Sequence, residues 1–176
     1  MSKRLPREYL HPAMRKIGLP LSGKALIELM QAVHAKGLPF RFSAGGYSMT
    51  PFIRDGDVIT VSPLALHAPR RGDVVAFIHP KTNRLCLHRV LSVHGGSFFI
   101  QGDNMPERPD GVIPREAILG RVTGLERAGR KVRLGLGPER LLLAVLSRCG
   151  GMALTRRYAG WLYAYFSRSH GSCEKH

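Results

Sequence analysis

The pattern of apolar and polar positions along the chain changes near residue 40 and again near residue 137. Before the first change, apolar side chains recur at the i, i+3, i+4 and i+7 spacing of a helix, at Leu26, Leu29, Met30 and Val33. This spacing predicts an amphipathic helix over residues 22–36. Ser22 can cap its first turn, and Gly37 with Pro39 ends it.

From residue 40 onward, apolar side chains alternate with polar ones or form short runs, as they do in β-strands. Strands are predicted at residues 40–42, 58–61, 74–78, 85–93, 97–100, 118–125 and 131–134. Turn signals such as Asp55-Gly56 separate them. The fold class predicted is therefore mainly β, a compact coiled antiparallel sheet that resembles a barrel, with an N-terminal amphipathic helix and C-terminal helices.

After residue 137 the pattern is helical again, over residues 139–148 and 155–166. The second segment combines aromatic side chains with arginines at its ends. Such a helix suits a membrane interface, and it also suits packing over the sheet. Three parts are thus predicted: a basic N-terminal segment (1–39), a catalytic domain (40–136) and a basic, aromatic helical region (137–176).

Charge and cysteine content narrow the function classes. The chain of 176 residues has 27 Lys and Arg against 12 Asp and Glu, a net charge of +15, with the basic residues crowded at both ends. Such ends suit an anionic membrane surface or nucleic acid, or they are simply solvated. Three cysteines without CxxC spacing indicate a reducing compartment and no zinc site.

The placement predicted from the sequence is cytoplasmic or peripheral on a membrane. The first residues are charged and lack the apolar run of a signal peptide. The longest apolar runs fall well short of the ~20 residues that a membrane-crossing helix needs.

The candidate chemistry begins at Ser48, which lies between Gly45-Gly46 and Pro51. Such a turn can present a hydroxyl and free a backbone N–H for an oxyanion, although a lone serine here is more often a simple turn residue. His88 lies on a predicted strand, where alternation puts it on the face opposite Arg89. It can act as a base for Ser48, or it can be a core histidine bonded to a carbonyl.

A catalytic imidazole is usually oriented by a carboxylate, and two aspartates flank the loop after residue 100. Asp103 and Asp110 are both candidates on pattern alone. Asp103 lies in a Gly-Asp-Asn turn, where its carboxylate could instead cap backbone N–H groups.

Several short motifs, taken in order, resemble the signature segments of type I signal peptidases. They are Ser48-Met49-Thr50-Pro51, Gly56-Asp57-Val58, Gly72-Asp73-Val74-Val75-Ala76-Phe77, His88-Arg89-Val90, Gly102-Asp103-Asn104 and Ile118-Leu119-Gly120-Arg121-Val122. Each motif is weak alone, but the ordered series over residues 40–125 is specific. Because a histidine precedes Arg-Val, the chain is similar to the endoplasmic-reticulum and archaeal type, whose base is histidine in place of lysine.

The resemblance implies a serine endopeptidase that cleaves after a small residue of a peptide or protein precursor. It makes Ser48 the nucleophile, His88 the general base and Asp110 the likelier acid, while Asp103 matches a structural aspartate and stays a candidate. It also suggests a shallow apolar pocket formed by Met49, Phe52 or Phe77. The chemistry requires no cofactor and no metal.

Three features depart from the family pattern. A helix that looks soluble replaces the usual transmembrane helix, Gly46 stands where many relatives have a serine, and the region after Pro138 has no clear counterpart. Two other functions therefore stay open. One is autoproteolysis, although Ala44-Gly45 lies too close to Ser48. The other is a catalytically inactive or basic binding module for nucleic acid or an anionic membrane, although the strands lack the interleaved basic and aromatic residues that favour nucleic acid.

Overall fold

The computed structural model of the chain describes residues 23–64, 68–105, 107–132 and 136–148. Two helices occur there, α1 (Gly23–Ala35) and α2 (Arg140–Arg148). The strands are β1 (Phe40–Ser43), β2 (Val58–Ser62), β3 (Val74–Ile78), β4 (Leu85–His94), β5 (Ser97–Gln101), β6 (Gly111–Pro114), β7 (Ile118–Arg127) and β8 (Arg130–Lys131). A short 3-10 turn, Arg115–Ala117, joins β6 to β7.

The strands form one antiparallel sheet, which confirms the predicted mainly β fold. Their order is β1-β2-β7-β3-β4-β5-β6, and β8 pairs with β7. The sheet described is not closed into a barrel, because its path ends at β1 on one side and at β6 on the other. Register shifts interrupt the pairing of β2 and β3 with β7 and of β4 with β5. Such irregularities bend and twist strands locally.

Hydrophobic alternation located most elements well. Strand β3 has the predicted bounds, and most other strands extend one or two residues beyond their apolar segments. Strand β6 was missed, since residues 109–111 carry turn signals and only Ile113 of its four residues is buried. The proposed Ser22 cap, the helix over residues 155–166 and the end of the last predicted strand lie outside the described residues.

The sheet has a hydrophobic core on each face, and β3 contributes to both. Val74 and Ala76 belong to one cluster, whereas Val75 and Phe77 belong to the other. This division follows from the alternation of side chains across a strand. The first cluster includes Met30 of α1, so the N-terminal helix covers that face.

Helix α2 packs on the sheet near β4 and the turn at Gly72. Its Leu143 and Ala144 are buried. Gly72 has a φ of +90°, and a Cβ there would lie 2.8 Å from the carbonyl oxygen of Arg140. Only glycine fits this close approach without a shift of the backbone. Neither helix within the described ranges is long and apolar enough to cross a membrane.

A fully buried ion pair joins β4 to the segment that follows β5. Arg89 donates from Nε to Asp103 Oδ1 at 2.8 Å and from Nη2 to Asp103 Oδ2 at 2.7 Å. Both side chains are 0% exposed. Arg89 also donates to the carbonyl oxygen of Gly72 at 2.8 Å, and its guanidinium lies 5.7 Å from the ring centre of Phe52. One side chain thereby connects several separate segments of the chain.

A second ion pair holds the segment between β1 and β2. Arg127 donates to both carboxylate oxygens of Asp57 and also to the carbonyl oxygen of Phe52. Burial raises the pKa of Asp57, but hydrogen bonds from Arg127 and the Arg54 backbone, with the positive charges of both residues, outweigh it and lower the pKa below 3.8. The Asp57 carboxylate therefore stays ionised at neutral pH and keeps its ion pair with Arg127.

We expect Asp103→Asn to lower the free energy of unfolding by about 3–5 kcal/mol, because it leaves the buried Arg89 guanidinium without its counter-charge. Urea denaturation followed by circular dichroism measures this change. The matched control is Glu126→Gln, which removes the partly exposed ion pair with Arg41 and should cost less than about 1 kcal/mol. Equal effects of the two substitutions would contradict a special role for the buried pair.

Candidate active site

Ser48 lies in a loop whose backbone is held by residues near β2. The N–H of Ala44 donates to the carbonyl oxygen of Asp57 at 2.7 Å, and the N–H of Gly46 donates to Asp55 Oδ1 at 2.9 Å. Gly46 has a φ of +91°, which a side chain would disfavour. Two residues later the half-buried Ser48 reaches the surface of a groove.

The groove has a volume of about 630 Å³ and brings Ser48 and His88 to one site. Apolar side chains from α1, β1, the Ser48 loop and β4 form much of its surface, namely Leu26, Phe42, Met49, Ile53, Leu85 and Leu87. A concave, largely apolar surface with a few polar groups is typical of a binding site for an organic ligand or a peptide.

His88 lies in β4 and Asp110 lies directly before β6, and the two side chains form a close pair. Asp110 Oδ2 accepts a hydrogen bond from His88 Nδ1 at 2.5 Å, and both side chains are 9% exposed. The N–H of Asp110 donates to the carbonyl oxygen of Ile100, which fixes this residue beside β5. Because a carboxylate accepts hydrogen bonds, Nδ1 carries the hydrogen and Nε2 is left as the acceptor nitrogen.

A second histidine approaches the same carboxylate. His79 Nε2 lies 3.8 Å from Asp110 Oδ1. The other nitrogen of this ring, Nδ1, accepts a hydrogen bond from the backbone N–H of Lys81 at 3.2 Å. The neutral ring therefore carries its hydrogen on Nε2, where it faces Asp110.

Gly102 brings the His88 ring and the Ser48 backbone together. A Cβ at this position would lie 2.8 Å from the Ser48 carbonyl oxygen and 3.1 Å from His88 Nε2. The serine loop and the imidazole nitrogen therefore approach each other across a residue that has no side chain. Any larger residue would push them apart, which gives the Gly-Asp-Asn segment a steric role.

Asn104 also holds the loop that contains Ser48, through two hydrogen bonds to its backbone. Its backbone N–H donates to the Ser48 carbonyl oxygen at 2.8 Å, and its Nδ2 donates to the Tyr47 carbonyl oxygen at 3.0 Å. Asn104 follows Asp103, whose carboxylate is bound by Arg89 of β4. The position of the serine loop relative to β4 thus depends on this short segment.

The two candidate aspartates have different surroundings. Asp110 accepts from the His88 ring, whereas Asp103 is paired with Arg89 in the interior. Asp110 is thus the carboxylate that meets the imidazole, and Asp103 is held by a different cation.

The Ser48 hydroxyl and the His88 ring face one groove without a direct bond. Among the described residues, no hydrogen bond joins Ser48 Oγ to His88 Nε2, and the backbone N–H of Ser48 has no hydrogen-bond partner. Catalytic hydrogen bonds are often long in unliganded proteins and shorten when substrate binds. A free N–H at a nucleophile is also the group that an oxyanion requires.

Cys86 lies two residues before His88 on β4 and also lines the groove. Burial, together with the negative charge of Asp110, raises the pKa of its thiol to about 11, although the positive charge of Arg84 opposes the rise. The thiol is therefore neutral at pH 7 and a poor nucleophile, because the reactive form is the thiolate.

Of the residues named from the sequence, Ser48 and His88 line one groove and His88 contacts Asp110, whereas two further contacts at the site were not predicted. The sequence gives Asn104 only as part of the Gly-Asp-Asn motif and assigns no role to His79. Neither contact can be predicted from the local sequence, since each joins residues that are far apart along the chain. The pocket suggested for a small residue is only partly found: Met49 lines the groove, whereas Phe52 lies against Arg89 and Phe77 belongs to the core.

Within the described part of the chain, no group of three His, Cys, Asp or Glu side chains is arranged to hold a metal ion. Comparison of the sequence with models of protein families and with curated proteins returned no match. The functional argument therefore depends on the geometry of the groove and of the His88–Asp110 pair.

We expect Asp110→Asn to lower the pKa of the Cys86 thiol and to speed its alkylation at pH 8–9, because a negative charge near the thiol is removed. Arg84→Ala should raise this pKa and slow the reaction. Iodoacetamide labelling followed by peptide mapping gives the rate, with Cys149 and Cys173 of the same chain as references. Equal alkylation rates in wild type and Asp110→Asn would contradict an effect of the Asp110 charge on the Cys86 thiol.

Proposed function

We propose that the protein is a serine endopeptidase in which Ser48 is the nucleophile, His88 the general base and Asp110 the residue that orients the base. One observation carries this proposal: His88, which lines the same groove as Ser48, donates from Nδ1 to Asp110 Oδ2 at 2.5 Å. A buried carboxylate on one imidazole nitrogen leaves the other nitrogen free to accept a proton.

The first half of the reaction forms an acyl-enzyme. Ser48 Oγ attacks the scissile carbonyl carbon while His88 Nε2 accepts the hydroxyl proton. The negative charge that develops on the carbonyl oxygen is stabilised by the free N–H of Ser48. His88 then returns its proton to the leaving amine, and the C–N bond breaks.

In the second half, water replaces the amine. His88 Nε2 takes a proton from the water, whose oxygen attacks the ester carbon bonded to Ser48. Collapse of this intermediate releases the carboxylic acid, and His88 gives the proton back to Ser48 Oγ. Asp110 holds the imidazole tautomer throughout and stabilises the imidazolium ion that forms in each half.

The groove favours an extended peptide segment as substrate. Its apolar side chains can contact alternate side chains of the substrate, while the polar groups of Ser48 and His88 lie next to the peptide bond. The resemblance to signal peptidases adds a preference for a small residue before the cleaved bond. The protein acts on a peptide or protein precursor in the cytoplasm or peripherally at a membrane.

Self-cleavage at Ala44-Gly45 is disfavoured by the local hydrogen bonds. The Ala44 N–H donates to Asp57, and the Ala44 carbonyl oxygen accepts from the Gly56 N–H at 2.9 Å. This bond therefore belongs to a fixed loop just before the nucleophile and cannot also enter the site. A binding module without catalysis is the other function to test, because the charge of +15 would suit an anionic partner.

We expect Ser48→Ala to reduce endopeptidase activity by about 10³-fold or more while the fold is retained, since no other group replaces the attacking hydroxyl. The purified protein is incubated with a library of proteome-derived peptides, and new termini are identified by mass spectrometry. The matched control is Ser92→Ala, which removes a half-buried serine of β4 that does not line the groove and should leave cleavage within about two-fold of wild type.

Cleavage that survives Ser48→Ala would come from another enzyme and would contradict the proposal. An absence of Ser48-dependent products from a folded wild-type protein would favour the binding module.

A further inference from the structure

The groove beside Ser48 carries positive charge on its rim. Lys24, in the first turn of α1, and Arg84, directly before β4, both line it. None of the described residues that line the groove is Asp or Glu. Its charged side chains are therefore of one sign, although the walls between them are mostly apolar.

Both cations are accessible to a ligand in the groove. Lys24 is 88% exposed, and its one ion pair with a described residue is a long contact of 3.9 Å with the exposed Glu28. Such surface contacts are weak and exchange easily. Arg84 is exposed, and its side chain forms no ion pair within the described part of the chain. The backbone of Arg84 is fixed, since its carbonyl oxygen accepts from the His79 N–H at 2.9 Å.

The charge of Arg84 acts on groups inside the groove. It lowers the pKa of the Cys86 thiol against the larger effect of burial. Cys86 is itself a lining residue, two positions from the base. A negatively charged group bound near this wall would therefore be attracted by the same guanidinium.

We propose that the groove selects acidic peptides, with an Asp or Glu side chain of the substrate lying near the scissile bond and bound by Arg84 and Lys24. This inference rests on the proposed function and assigns a substrate class to the same site. Arg84 suits a carboxylate because its planar guanidinium can form two parallel hydrogen bonds. Lys24 adds a flexible point charge on the α1 side.

The expected selectivity is moderate and depends on salt. An exposed ion pair contributes up to about a five-fold preference, and two cations in a partly enclosed groove contribute about three- to ten-fold together. A cleft lined by one sign of charge also raises the encounter rate of opposite charges. Both effects weaken as the Debye length falls from about 10 Å at 0.1 M salt to about 3 Å at 1 M.

A peptide suits the groove better than a nucleic acid does. The groove is lined by aliphatic and aromatic side chains such as Phe42, Met49 and Leu87, which can cover apolar substrate side chains. Nucleic acid binding without sequence preference relies on a continuous basic track along the phosphates and on exposed stacking aromatics. Two cations on a largely apolar groove do not form such a track.

The test uses two series of Ala-rich decapeptides. In the first series a single Glu stands at each position in turn, and in the second series Gln replaces that Glu. Two readouts run in parallel on the full chain. Wild-type cleavage is followed by mass spectrometry at 50 mM and 500 mM NaCl. Binding of the fluorescently labelled peptides to Ser48→Ala, which cannot turn them over, is followed by fluorescence anisotropy at the same salt concentrations.

At 50 mM NaCl we expect Glu at one or two positions to tighten binding and to raise kcat/KM by about three- to ten-fold over Gln. Arg84→Ala and Lys24→Ala should each reduce this preference, as should 500 mM NaCl. The matched controls are Lys81→Ala, in the same turn as Arg84, and Lys36→Ala, just after α1. Both remove an exposed cation that does not line the groove and should keep the preference.

Equal binding of Glu and Gln peptides, or a preference that survives loss of both Arg84 and Lys24, would overturn the inference. Ser48-dependent cleavage without a Glu preference would overturn it while leaving the endopeptidase proposal intact. Glu-selective binding without any Ser48-dependent cleavage would support the acidic ligand and reject the endopeptidase. Binding of a labelled single-stranded oligonucleotide that displaces the Glu peptides would assign the groove to nucleic acid and contradict the inference.

Discussion

The arrangement of the site depends on one buried interaction, the ion pair between Arg89 and Asp103. Arg89 follows His88 on β4, and Asp103 lies between Gly102, which the imidazole approaches, and Asn104, which binds the serine loop. Since both charged side chains are fully buried, neither can leave its partner without a large electrostatic cost. The pair therefore fixes the strand that carries His88 relative to the loop that carries Ser48.

Neighbouring residues on β4 have different surroundings, because successive side chains point to opposite faces of the sheet. Alternation sends Arg89 inward and turns His88 toward the groove and Asp110. The position of Asp110 is set separately, by the pairing of β6 with β5. Ser48, His88 and Asp110 thus come from distant parts of the sequence, and His88 contacts Asp110 and lines the same groove as Ser48. Such positioning on a rigid scaffold is what a reaction of precise geometry requires.

Much of this could be predicted from the sequence, and the failures have physical causes. A continuous run of five apolar residues located β3 with its observed bounds, because its side chains are buried in the cores on both faces of the sheet. Strand β6 was not predicted, because an edge strand with one buried residue shows little alternation of apolar and polar side chains. The choice between Asp103 and Asp110 stayed open, since it depends on which cation or ring each one meets in space. The contact of His79 with Asp110 also depends on tertiary structure and on no local pattern.

The most direct measurement is the titration of a thiol placed at the nucleophile. In Ser48→Cys, alkylation against pH reports the pKa of the introduced thiol, in the parent and with His88→Ala or Asp110→Asn added. If Ser48, His88 and Asp110 act together, this thiol titrates well below the usual ~8.5 and returns toward it when either partner is removed. A thiol that titrates near ~8.5 whatever stands at positions 88 and 110 would contradict the account.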